Sequence, residues 1–224
     1  VRLTLGTQPD SSELGDEYHL MGLIHMRKGN LNIALSEALK SLRIFQKAGN
    51  QVGVADAYNS LGGIESSLGN FQKSIDYNRL SLKIYQERND KIYEAQALND
   101  IGNNFFYLGQ YDEAVSHLLQ SAALSRQLEF KDLEATAYTN LGKTYTAQKE
   151  YTLAIEILLK GLKLLEETQT PVKIVEICNA LGQAYQGLQN HGMAIRYFNR
   201  SIELAVQNGF LEALSEGYMY RSIS

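Results

Sequence analysis

Asn59, Asn99 and Asn179 stand at whole multiples of forty residues from one another, and Asn103 and Asn140 join them in the same stretch of chain. The chemistry open to such a row is recognition. A carboxamide carries both a donor and an acceptor, so carboxamides at regular spacing can grip the backbone of an extended peptide largely regardless of its side chains. Asparagine is a mediocre helix former, and its recurrence costs helix stability that a ligand would return. The alternative is that these residues keep a solvent face polar and bond to neighbouring helices.

Catalysis needs residue types that converge on one point, and few candidates do. His19, His25, His117 and His191 fall in four different positions of the chain's forty-residue repeat and do not converge as metal ligands would, so they read as packing or surface residues, and no cofactor or metal is expected. Cys178 is the only cysteine; it reads as a small core residue with an inert thiol, and it excludes an intrachain disulfide framework. No glycine-rich phosphate loop with its lysine is present. Asn199-Arg200-Ser201 matches a glycosylation triplet but falls inside a predicted helix. No acid–base pair stands out, and the chain is not expected to be an enzyme.

Bulk composition narrows the partners. In 224 residues, 21 Lys and Arg oppose 25 Asp and Glu, a formal charge of −4. That balance lacks the basic excess that neutralises phosphates or an anionic membrane surface, which argues against nucleic acid and membrane partners. A hydrophobic share of 44% is ample for a core. No apolar run approaches the roughly 18–20 residues that span a bilayer. With no signal-peptide pattern in Val1 to Ser12, the sequence predicts a soluble, cytoplasmic chain.

What positions the asparagines is a repeat. Blocks of forty residues from Ser11 align without gaps as 11–50, 51–90, 91–130, 131–170 and 171–210, with a sixth begun at Leu211. Gly22, Gly62, Gly102, Gly142 and Gly182 share one register position, each preceded by Met21, Leu61, Ile101, Leu141 or Leu181. Small residues recur in two later positions, Ala34, Ser74, Ala114, Ala154 and Ala194, then Ser41, Ser81, Ser121, Gly161 and Ser201. Apolar spacing of three and four residues predicts two helices per block: 13–28, 52–68, 92–108, 132–148 and 172–188, then 31–47, 71–88, 111–128, 151–167 and 191–208. Glycine inside a helix costs about 1 kcal/mol against alanine, so a recurring one signals close helix–helix approach, with the small residues as its expected counterpart. Gly29, Gly69 and Gly109 supply left-handed caps between the helices.

These positions, an aromatic or leucine, then Leu or Ile and Gly, followed by Phe105, Tyr145 or Tyr185 three residues on, resemble the tetratricopeptide repeat. The resemblance covers residues 13–210 and departs in two ways: the unit is forty residues, where thirty-four is common, and the frequent closing proline is replaced by Gln46, Gln86, Arg126, Glu166 and Val206. It implies an all-α fold, a right-handed superhelical α-solenoid of about five and a half helix-turn-helix units. Residues 1–12 would be a tail and 13–224 a single domain. The half unit would expose Leu211, Leu214 and Tyr218, suggesting a chain that runs on, or an end covered by a partner or a second copy.

In that family the leading helices line the concave surface. The positions carried over give a groove of Asp56, Asn59, Asn99, Asp100, Asn103, Asn140, Lys143, Asn179 and Gln183, with Phe106 and Tyr107 as apolar anchors. Members that hold chaperone carboxylate tails pair two cations with asparagines; here Glu176 and Ala180 stand where the cations would be, so that specialised activity is not expected. With Asp16, Asp56, Asp100 and Glu176 against Arg27 and Lys143, the resemblance implies a neutral or basic extended segment. The expected function is a protein or peptide interaction module. The alternatives are the sensory portion of a larger signalling protein, of cyclase or kinase type, with its catalytic domain outside this chain, and a self-associating scaffold.

Overall fold

The computed structural model describes residues 11–210 together with residue 219. The partial sixth unit, with Leu211, Leu214 and Tyr218, and the tail before Ser11 lie outside the described residues. Among the described residues ten helices run in order, α1 (Ser11–Arg27), α2 (Leu31–Ala48), α3 (Gln51–Ser67), α4 (Phe71–Glu87), α5 (Lys91–Tyr107), α6 (Tyr111–Gln127), α7 (Lys131–Ala147), α8 (Tyr151–Thr168), α9 (Pro171–Gly187) and α10 (His191–Asn208). The arrangement is an α-solenoid of helical hairpins. Helix α1 begins at Ser11, two residues before the predicted start, and Ser12 is tied in by Asn50, whose Nδ2 donates to its hydroxyl at 2.9 Å.

Each hairpin is closed by a repeated backbone device. Residues in the left-handed region recur every twenty positions, at Gly29, Gly49, Gly69, Asn89, Gly109, Glu129, Lys149, Gln169, Gln189 and Gly209. There the chain reverses and the next amide bonds back across the last turn, as Asn30 N does to His25 O at 2.9 Å and Asn190 N to Tyr185 O at 2.9 Å. Reading glycine alone locates half of these turns. The other five place a side chain where L-residues are strained.

The chain divides into two compact bodies, residues 1–104 and 105–224. In the first, α1 packs on α2 and α3, and α3 on α4, around Ala34, Leu42, Phe45, Val54, Leu61 and Ile64. Ser41, fully buried, donates to Gly15 O at 2.9 Å. In the second, α7 packs on α6, α8 and α9, and α9 on α10, around Ile155, Leu158, Leu162, Leu165, Ile177 and Leu181.

The recurring glycine has a different counterpart from the one expected. Gly22 does lie against the backbone of Ala34, at 3.4 Å from where a Cβ would stand. At Gly62, Gly142 and Gly182 the space is filled by larger side chains, those of Asn78, Leu158 and Phe198. The glycine is a socket for a side chain of the second helix rather than a partner for its small residues. A socket is the tighter arrangement, because a buried interior packs to crystal-like density and a glycine opposite a large residue holds the local volume constant.

Candidate functional site

In the second body, the last turn of α5 and one face of α7 and α9 enclose a cavity of about 410 Å³. Helical spacing assembles it: Lys143, Thr146 and Ala147 lie three and four residues apart on α7, as do Glu176, Asn179, Ala180 and Gln183 on α9. Phe106 and Tyr107 complete the wall, their rings edge to face at 5.3 Å, with Tyr107 55% exposed. Lys143 and Glu176 form an ion pair between α7 and α9, so the two charged groups of the lining cancel. Asn179 is only 5% exposed, yet its Oδ1 has no hydrogen-bond partner. The cavity therefore offers an aromatic rim, no net charge and an unused acceptor, within the size range of small ligand sites. Five of the residues singled out from sequence, Phe106, Tyr107, Lys143, Asn179 and Gln183, come together here.

Asp100 and Asn103 belong elsewhere, to a smaller cavity of about 150 Å³ in the first body, lined also by Gly63, Ser66, Ser74, Asn78 and Asn104. Burial pushes the Asp100 carboxyl up to about 6, opposed by Asn99, whose Nδ2 donates to its Oδ1 at 3.3 Å. Asn78 and Asn104 escaped the sequence reading because their helix faces pack inward. A signal was nevertheless present: the positions equivalent to Asn78 hold Ala38, Leu118, Leu158 and Phe198, and those equivalent to Asn104 hold Ile24, Ile64, Thr144 and Ala184.

The remaining predicted residues join neither cavity. Asp56 accepts the Tyr85 hydroxyl at 3.1 Å, with Asn59 a second hydrogen-bonding neighbour of that hydroxyl. Burial and the Asp56 charge raise the Tyr85 pKa strongly. Asn99 and Asn140 are buried, as is Asn179, so the row of carboxamides expected on a solvent face turns largely inward. Cys178 is fully buried, and burial pushes its thiol up to about 12. Among the described residues no helix is long and apolar enough to cross a membrane.

A family model described as tetratricopeptide repeat matches residues 18–87 and 93–167, and a second of the same description matches residues 175–208. Comparison with curated proteins gives no match. Among solved structures, aspartyl phosphate phosphatase F from Bacillus subtilis is 19% identical, with a TM-score of 0.81 over 92% of this chain and 54% of its own. The Rap conjugation gene regulator of plasmid pLS20, in complex with the Phr* peptide, is 16% identical, with a TM-score of 0.79 over 92% of this chain and 58% of its own. A signal transduction ATPase with a tetratricopeptide repeat sensor, from Pyrococcus horikoshii, is 19% identical, with a TM-score of 0.78 over 96% of this chain and 33% of its own. At such identities the likeness is one of fold.

Proposed function

The chain belongs to the tetratricopeptide repeat family, and from that premise we propose that it is a non-catalytic module that binds an extended protein segment in the cavity between α5, α7 and α9. The observation that carries this reading is the Asn179 carbonyl oxygen, buried without a partner in the wall of that cavity. Leaving such a group unpaired costs about 1–3 kcal/mol, and a backbone N–H of a bound segment returns it. Phe106 and Tyr107 supply an anchor for a neighbouring apolar side chain. The Lys143–Glu176 pair leaves the lining without net charge, which favours a neutral segment over a charged one. The pLS20 regulator, solved with a peptide on the same fold, supports the class of ligand. The single, buried Cys178 supports a reducing, cytoplasmic setting.

The test is to select binders from a random peptide display library and measure their affinity for wild type and Asn179→Ala. The reading predicts a loss of roughly five- to tenfold for the variant, the value of one hydrogen bond to a neutral acceptor. Equal affinities would defeat it.

A second reading, that the repeats serve as the sensor of a larger signalling protein, is favoured by the Pyrococcus horikoshii ATPase, of whose length the matched part is 33%. An immunoblot of the native protein at about 25 kDa, the mass of this chain, would count against it.

A further inference from the structure

We propose that the small cavity between α3, α4 and α5 is a receptor for a primary ammonium group, supplied by a lysine side chain of the bound segment. This rests on the reading that the chain takes an extended segment, but the receptor is complete within the first body. Its foundation is a pair of orphaned oxygens. Asn78 and Asn104 are 1% and 2% exposed, both line the cavity, and the Oδ1 of each has no partner. The orientation of Asn104 is fixed, because its Nδ2 donates to the Asp100 backbone oxygen at 2.7 Å; turning the amide over would set oxygen against oxygen. Asn78 donates to the Ser74 hydroxyl at 3.4 Å, and its unpartnered oxygen sits in the Gly62 socket, beside Gly63 of the cavity wall.

Packing does not require either residue. Asn78 fills the Gly62 socket as Leu158 fills that of Gly142 and Phe198 that of Gly182. Ile64, the equivalent of Asn104 one unit earlier, is fully buried in the core of the same body. Two adjacent core positions thus carry a carboxamide where the repeat elsewhere carries mostly apolar residues, and both line one cavity. Buried polar groups of this kind are retained where something outside the hydrophobic core answers them.

The lining selects the guest. Every residue is glycine or polar, none is cationic, and Asp100, half-buried, is the only charge. An apolar guest finds no apolar wall, and an anion meets the carboxylate. A calcium ion takes six to eight oxygens, usually with several carboxylates, and one carboxylate matches a single positive charge instead. An ammonium has three donors and no acceptor, and the lining is rich in acceptors, with the Asp100 carboxylate among amide and hydroxyl oxygens. A guanidinium wants a carboxylate edge for its fork, and that edge is already engaged by the Asn99 amide. A volume of about 150 Å³ equals roughly five water volumes at about 30 Å³ each, room for the end of a lysine side chain and not for an aromatic ring with its backbone.

The experiment is a titration of the isotope-labelled chain with Nα-acetyl-lysine-N-methylamide, followed through the side-chain amide resonances of Asn78 and Asn104. The expected result is a saturable shift of both, absent when the Nε is acetylated. It should weaken at least tenfold in Asp100→Asn and in the double variant Asn78→Leu with Asn104→Ile, which carries residues the repeat already uses at those positions and so keeps its fold. No shift at tens of millimolar probe would overturn the proposal. So would an equal response to the Nε-acetylated or arginine analogue, a response to calcium chloride alone, or tighter binding of methylammonium than of the lysine amide, which would make the source a free amine. Because the probe is a single residue, failure here leaves the α5–α7–α9 cavity untouched, and failure of peptide selection with Asn179→Ala leaves this receptor standing.

Discussion

Leu158 occupies the space that a side chain on Gly142 would need. Leu158 is fully buried, so it has nowhere to move when a methyl group is added opposite. Gly142→Ala should lower stability by up to about 2 kcal/mol, overpacking of about 1–3 kcal/mol outweighing the helix-propensity gain of about 1 kcal/mol. At Gly63 the added carbon meets only Met26 Sδ at 3.9 Å, so Gly63→Ala should raise stability by about 0.5–1 kcal/mol. Urea midpoints of the two variants check this, and the same sign for both would be wrong for the socket.

Glu129, Lys149 and Gln189 hold φ of 55°, 66° and 61° at hairpin turns where Gly29, Gly69 and Gly109 do the same work without strain. Glycine removes a left-handed penalty of about 1–2 kcal/mol and adds unfolded-chain entropy of about 0.4–1 kcal/mol. The net expectation for Glu129→Gly is a gain of about 0.5–1 kcal/mol, read as a rise in thermal midpoint. A fall would mean the glutamate side chain contributes more than its backbone costs.

Asp100 titrates at its ordinary value near 3.8 in the unfolded chain and at about 6 in the folded one. Between those values the folded state holds more protons, so this residue's contribution to stability falls as pH rises from about 4 to about 6 and is flat above. Asp100→Asn should therefore exceed wild type by about 1–2 kcal/mol at pH 7, a figure that discounts the carboxyl's partial exposure, and by little at pH 4. Denaturant unfolding of both proteins at pH 4, 5, 6 and 7 gives the difference directly. A pH-independent difference would contradict the assignment.

Cys178 is sealed in the core of the second body, and its thiol is pushed up to about 12. The thiolate is the reactive form, so alkylation at pH 8 should proceed only as fast as the body opens, and should accelerate by orders of magnitude in denaturant. Rapid labelling of the native chain would contradict this burial.

The forty-residue register made the helices legible, with every helix end within two residues of its expected place, because apolar period and turn glycines are local signals. Left-handed Lys149 and Gln189 were not legible, since the turn geometry there is imposed by the hairpins on either side rather than by the residue. The asparagines show the same limit. Their spacing was plain, but whether a carboxamide meets solvent, a neighbouring helix or a cavity depends on the side chains that pack around it. Asn179 meets a cavity wall, while Asn59 neighbours the Tyr85 hydroxyl. Asn78 and Asn104 were legible only by comparison across units, as polar residues in positions that are otherwise mostly apolar.

The central claim is that a bound segment lies against α7 and α9 in the second body, and site-specific photo-crosslinking tests it most directly. A photoreactive residue would replace Gln183, in the cavity wall, or Leu159, 40% exposed on α8, with a library-selected peptide as target. The account predicts a crosslinked adduct from position 183 that excess unlabelled peptide suppresses, and none from position 159. Crosslinking from 159 with silence at 183 would place the segment on another face and contradict it.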